Sequence, residues 1–226
     1  MRRNSSQIDI QFAETKIKII MAKNFAAIAF TDAVKAMQEK LGSRSSYARM
    51  ERDTYVDGLT ENEIDFIAQR DSFYMASIGG NNFPYIQYRG GPKGFLKVLD
   101  ARRIGFIDFR GNMQYISTGN IATNNNVALI MVDYPLKIRL KILAKAEIVD
   151  LKDDPALYDL LAPDEYKFKP ERIIVFNIEA YDWNCPQHIT PRYTVEDIQE
   201  AFAVQRDYIV KLEARIKDLK LKLRDT

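Results

Sequence analysis

Two stretches of this 226-residue chain gather side chains able to hold a charged ligand. The first is Pro84-Tyr85-Ile86-Gln87-Tyr88-Arg89-Gly90-Gly91-Pro92-Lys93-Gly94-Phe95-Leu96. Gly90 and Gly91 would let a ligand or another backbone come close, and they adjoin Arg89, whose planar fork suits a phosphate or a carboxylate. A strand bulge with a solvated arginine has the same pattern. The second stretch is Asp108-Phe109-Arg110-Gly111-Asn112-Met113-Gln114-Tyr115-Ile116-Ser117-Thr118-Gly119-Asn120-Ile121. Asn112, Tyr115, Ser117, Gly119 and Asn120 fall where a strand hands over to a short helix. Open amides at that helix start, beside Ser117 and Thr118, make either an anion seat or a plain capped turn. The stretch lacks the Gly-Lys-Ser/Thr of a triphosphate-binding loop and the spacing of the dinucleotide fingerprint.

Two shorter stretches add to these. Arg139-Leu140-Lys141-Ile142 places two cations on one strand face and apolar side chains on the other. Trp183-Asn184-Cys185-Pro186-Gln187-His188 follows the last expected strand. There Trp183, beside the amides of Asn184 and Gln187, walls a planar ligand or anchors one end of the fold. The chain holds one cysteine and one histidine, which excludes a disulfide framework, a thiolate-rich metal site and a multi-histidine centre. No metal is expected. Thirty-three Lys+Arg against 31 Asp+Glu leave a net charge of +2, which argues against a domain-wide grip on nucleic acid.

The elements that must position these groups divide the chain in three. Thr31 caps a helix running to about Lys40 with Ala33, Val34, Met37 and Leu41 on one face, stopped by Gly42; Ser45–Glu51 is a second short helix. Thr60-Glu61-Asn62-Glu63 is a capping box opening a third helix, ending near Asp71. Hairpins follow: Phe73–Ile78 with Pro84–Tyr88, Gly94–Leu99 with Ile104–Phe109, and Val127–Tyr134 with Arg139–Val149. After a helix over Pro155–Leu161, Arg172–Tyr181 supplies a seventh strand. Seven strands joined mostly by hairpins predict a mainly β fold, an antiparallel barrel with flanking helices. From Thr194 the pattern changes to heptads, with Ile198, Gln205, Leu212 and Leu219 at d and Phe202, Ile209, Ile216 and Leu223 at a. This is a seam for parallel two-stranded coiling, or a helix folded back on its own domain. The expected units are therefore 1–24, a poorly ordered extension, then a domain over 25–193 and a coiled-coil-like helix over 194–226. Arg2 and Arg3 ahead of Ile17–Met21 imitate a signal peptide, but Lys16, Lys18 and Lys23 interrupt it, and Met21 opens the stretch that reads as folded protein. No run reaches the ~20 apolar residues of a membrane span, so a soluble, cytoplasmic chain without a membrane partner is expected.

In order along the chain, these stretches resemble the pyridoxamine 5′-phosphate oxidase-like, FMN-binding split β-barrel family. The likeness is closest to the branch with Gln-x-Arg-Gly-Gly-Pro-x-Gly-Phe-Leu, here Gln87 to Leu96. It extends through Asp108-Phe109-x-Gly111-Asn112-x-x-Tyr115-x-Ser117-x-Gly119-Asn120, Asp133-Tyr134, Arg139–Ile142 and Asn184–Ile189, and covers about Phe25 to Tyr193. The resemblance implies a split barrel that forms a homodimer with FMN at the subunit interface. It assigns flavin contacts to Gln87, Arg89, Gly90, Gly91, Asn112, Tyr115, Ser117, Gly119, Asn120, Arg139, Lys141, Trp183, Asn184 and Gln187. Arg89 or Ser117 would take the phosphate, Arg139 would approach the isoalloxazine ring, and the Trp183–Gln187 loop would close the pocket. The better-known oxidases carry an Arg and a Ser-Arg-Lys group where this chain has Gln87 and Tyr115-Ile116-Ser117, and they end in a basic aromatic segment instead of a heptad helix. The expectation is an FMN-dependent oxidoreductase reduced by NAD(P)H or a small-molecule substrate, with pyridoxamine phosphate oxidation itself disfavoured. A non-catalytic module for a flavin, deazaflavin or haem, and a coiled-coil-assembled scaffold, are the alternatives.

Overall fold

A computed structural model describes residues 24–53, 58–184 and 187–222. The expectations for the N-terminal extension, Cys185 and Leu223 lie outside the described residues. Among the described residues four helices precede the sheet: α1 (Phe25–Ala29), α2 (Asp32–Lys40), α3 (Arg44–Asp53) and α4 (Glu61–Ala68). The first was not anticipated, and Asn24 caps it by accepting from the Ala26 amide at 2.9 Å. Thr31 caps α2, and Gly42 follows with φ +76°. The expected capping box opens α4, but the helix stops at Ala68, before Asp71. Beyond it the backbone carbonyls of Arg70 and Asp71 accept from Gly94 and Gly91.

The strands are β1 (Ser72–Ile78), β2 (Pro84–Gly90), β3 (Lys97–Asp100), β4 (Arg103–Phe109), β5 (Asn126–Asp133), β6 (Ile138–Val149) and β7 (Pro170–Asn184). They form one antiparallel sheet in the order β2-β1-β5-β6-β7-β4-β3. β3 begins at Lys97 rather than Gly94, because Gly94 is held by Arg70 and has a left-handed φ of +76°. β7 is longer than the expected Arg172–Tyr181 and spans the length of β6. Helix α5 (Ile116–Thr123) links β4 to β5, and α6 (Pro155–Leu161) links β6 to β7.

The sheet curls until strands far apart in its order meet through their side chains. Phe73 of β1 lies 5.4 Å from Phe106 of β4 and 6.1 Å from Phe176 of β7, ring centre to ring centre. Met75, Leu129, Met131, Leu140 and Ile142 complete a fully buried interior around them. The two ends of the order, β2 and β3, are not paired with each other, so the barrel is split. α6 covers part of the outside, where Leu161 packs on Ile107, Ile173 and Val175. α7 (Val195–Lys222) follows, opened by Thr194 and Asp197 bonding each other's backbone amides at 2.8 and 3.0 Å. Among the described residues no helix is long and apolar enough to cross a membrane.

Glu63 ties the helical layer to the end of β7. Its carboxylate accepts from the Thr60 amide and hydroxyl, from the Tyr181 hydroxyl at 3.1 Å and from the Trp183 indole at 2.5 Å. Burial pushes this carboxyl upward, but the donors outweigh it and hold the group below the usual carboxylate range. The same environment drives the Tyr181 phenol well above its ordinary value, by burial first and Glu63 second. The stabilisation is present above the unfolded pKa of about 4.3 and is lost as pH falls through the lower folded value. Glu63→Ala is expected to cost about 3 kcal/mol by leaving buried donors unpaired. Glu63→Gln should flatten the acid limb of stability, with urea unfolding from pH 6 down to 3 as the measurement.

Candidate functional site

Strand alternation sorts the side chains of β2. Tyr85, Gln87 and Arg89 stand opposite Ser77, Met75 and Phe73, on the core side, whereas Ile86 and Tyr88 stand opposite Ala76 and Tyr74 on the outer side. α5 lies over the inward group at the open seam of the barrel. There the Ser117 hydroxyl donates to Gln87 Oε1 at 2.6 Å, and Asn120 Nδ2 donates to Ser77 Oγ at 3.1 Å. The resulting pocket of about 270 Å³ is lined by Gln87, Arg89, Asn112, Tyr115 and Ser117, together with Asp108 and Glu171. Two stretches far apart in the sequence thus share one cavity.

Its electrostatics are those of a buried, balanced cluster. Arg89 Nη1 meets Asp108 Oδ1 at 2.5 Å, and Arg172 Nη1 stands 3.9 Å from Asp108 Oδ2. Arg172 also donates to the Thr118 hydroxyl at 2.6 Å and to Glu171 at 2.8 Å, and its guanidinium lies 5.0 Å from the Tyr115 ring centre. Burial raises the Asp108 carboxyl despite both arginines, and burial lowers the Arg89 guanidinium despite Asp108. One buried donor is left over: among the described residues, Arg89 Nε has no hydrogen-bond partner. The helix start beside it is open too. Tyr115, the N-cap of α5, has a left-handed φ of 54°, and no side chain caps the helix. The first helical bond comes from the Gly119 amide, which leaves the amides of Ile116, Ser117 and Thr118 without an intrahelical acceptor. An orphaned guanidinium N–H, a hydroxyl and free helix-start amides fit a phosphate group.

The other sequence candidates lie elsewhere. Gly90 and Gly91 are outside the pocket lining, and a Cβ at Gly91 would sit 2.7 Å from the Phe95 ring, so that glycine serves close packing within the chain. Gly119 has open space around its missing Cβ, and Asn120 is engaged with Ser77. Arg139 and Lys141 project from the outer face of β6, opposite to fully buried Leu140 and Ile142. Lys141 pairs with Asp182 at 2.9 Å and lies over the Phe25 ring, while Arg139 Nε is buried without a partner among the described residues. Trp183 anchors the barrel end on Glu63 and packs edge-on to Phe66 at 4.9 Å. Asn184 ends β7, and Gln187 is exposed in the following turn. Asp108, Glu171 and Arg172 escaped the sequence reading of the site. Asp108 stood inside a quoted motif, but Arg172 read only as the start of a strand. Among the described residues no group of three or more His, Cys, Asp or Glu is placed to hold a metal.

An antiparallel split barrel with a polar pocket at its open seam, roofed by a short helix, defines the structural class. A family profile described as Pyridoxamine 5′-phosphate oxidase matches residues 59–184, more than half of the chain, and the chain belongs to that family. Similar solved structures include a Lactobacillus delbrueckii protein assigned as a pyridoxamine 5′-phosphate oxidase, 23% identical over 56% of this chain and 95% of its own, with a TM-score of 0.44. An F420 reductase is 20% identical over 55% of this chain and 98% of its own, with a TM-score of 0.41. An FMN-binding protein from Syntrophomonas wolfei is 12% identical over 66% and 97%, with a TM-score of 0.42. No curated protein matches the chain.

Removing the central carboxylate should expose the pocket's charge. Asp108→Ala leaves Arg89 and Arg172 facing each other in a buried site, an expected loss of about 3–5 kcal/mol. Millimolar inorganic phosphate should recover part of that loss for the variant and raise wild-type stability less, as read by thermal unfolding with and without the anion.

Proposed function

We propose that the chain is an FMN-binding flavoprotein that works as an oxidoreductase, reduced by NAD(P)H or by a small-molecule substrate other than pyridoxamine phosphate. The observation that carries this reading is the pocket shared by Arg89, Ser117 and the uncapped start of α5, in which Arg89 keeps a buried Nε without a partner among the described residues. Arg89, Ser117 and the first amides of α5 would take the phosphate, with Gln87, Asn112 and Tyr115 lining the adjoining space. Bound there, the isoalloxazine supplies hydride and electron transfer, chemistry for which the protein need contribute only binding and orientation. That division of labour suits a chain with one histidine and one cysteine.

The reading includes a homodimer. A volume of about 270 Å³ falls short of the ~300–1,000 Å³ of ordinary small-molecule sites, so it suits the phosphate and ribityl end and leaves the ring to be covered by something else. Arg139 and Lys141, the other cations of the reading, stand on the opposite face of the sheet. On that outer face Tyr88, Tyr74, Ile130 and Lys141 lie in one cross-strand row. Ile86, Ile78 and Phe83 extend it as exposed apolar surface on an edge hairpin, a patch of the kind that marks a protein interface. A second copy packed on this face would place the outer cations at the subunit interface, beside the edge strand that carries the pocket.

Freshly purified protein is expected to be yellow, to release FMN on denaturation, and to bleach anaerobically with NAD(P)H or a substrate. Haem or a deazaflavin in its place would redirect the cofactor assignment, and a colourless protein that ignores added FMN would end the proposal. Arg89→Ala should weaken FMN by about tenfold or more in a fluorescence titration, the loss expected for a charge-assisted hydrogen bond. Ile86→Lys should also weaken FMN, although its side chain faces away from the pocket, because it disrupts the face that completes the site.

A further inference from the structure

α7 holds 28 residues, about 42 Å of helix, and among the described residues nothing covers its apolar stripe. Ile198, Phe202, Ile209, Leu212, Ile216 and Leu219 are each 42–56% exposed. A helix of this kind is stabilised by packing that face, since propensity alone leaves it marginal in water. The a/d residues therefore need an occupant, and the charges along the helix identify one.

The N-terminal half of α7 is net acidic, with Glu196 and Glu200 near its start, and the C-terminal half is net basic, with Lys211, Lys217 and Lys220. We propose that α7 pairs antiparallel with α7 of a second copy of this chain. In that register Ile209 faces the partner's Leu212, and Phe202 faces the partner's Leu219. Arg206 at an e position meets the partner's Glu213, and Tyr208 at a g position meets the partner's Arg215 as a cation–π pair. Symmetry makes each of these twice. A parallel pair would instead set Arg215 against the partner's Lys220 on both sides and bring the two acidic ends together. The branched residues at a and leucines at d, from which the sequence suggested a parallel pair, bear on the number of strands; the charges decide their direction. The one cost is Gln205, whose amide must reach the rim of the seam. This contact is independent of the flavin pocket, and its failure would leave the flavin reading untouched.

Cysteine cross-linking of the full chain tests the direction. Co-expressed Ile209→Cys and Leu212→Cys chains should form a disulfide-linked pair at least tenfold more than either variant alone, with the wild-type chain and its Cys185 as the background. Linking of Ile209→Cys to itself would overturn the proposal, as would absence of any link in the mixture or occupation of the seam by a different protein. Surface variants guard against misfolding at the seam. Arg206→Glu in both chains should lower the cross-link yield about tenfold, and adding Glu213→Arg should restore it. Loss without restoration would equally overturn it.

Discussion

Strand β2 ends the sheet order on one side and β4 lies next to last on the other, and at the open seam no backbone ladder joins them. What spans that gap is the Arg89–Asp108 ion pair, set above the aromatic contact of Phe73 with Phe106 and backed by Arg172 from β7. Buried charges of this sort are tolerated only when each is compensated, and here two guanidinium groups share the carboxylates of Asp108 and Glu171. The closing of the barrel and the making of the pocket are thus one physical event. A barrel sealed by backbone hydrogen bonds at this place would have no cavity with an unsatisfied cationic donor.

The edge strand carries two surfaces because of its pleat. Its inward residues make the polar pocket with α5, and its outward residues make an apolar face continuous with β1 and β5. The cations of β6 stand on that same outer face. In the proposed homodimer, a ligand that engaged both sets would have to lie where two molecules meet. Trp183 and Glu63 keep the far end of β7 and the helical layer in fixed relation, so the strand bearing Arg172 is anchored at its other end.

Much of this was legible along the chain. The capping box at Thr60, the helix start at Thr194, the hairpin after Ile78, and the pairing of β5 with β6 are local patterns, and each appears where its spacing places it. Boundaries shifted where a distant backbone intervened, as when Arg70 captured Gly94 and shortened β3. Arg172 was invisible as a site residue because its neighbours in the pocket, Asp108 and Thr118, are more than fifty residues away.

The sequence by itself determined the antiparallel strands, their caps and turns, the two motif-bearing stretches that meet in the pocket, and the heptad helix, since all of these follow from short-range periodicity and backbone chemistry. Tertiary structure alone decided that Gln87 and Ser117 share a cavity while Arg139 and Lys141 face away from it, that Gly91 makes room for Phe95, and that Trp183 is held by Glu63. Those outcomes depend on how far the sheet curls, and curl is set by packing among strands that the chain order keeps apart.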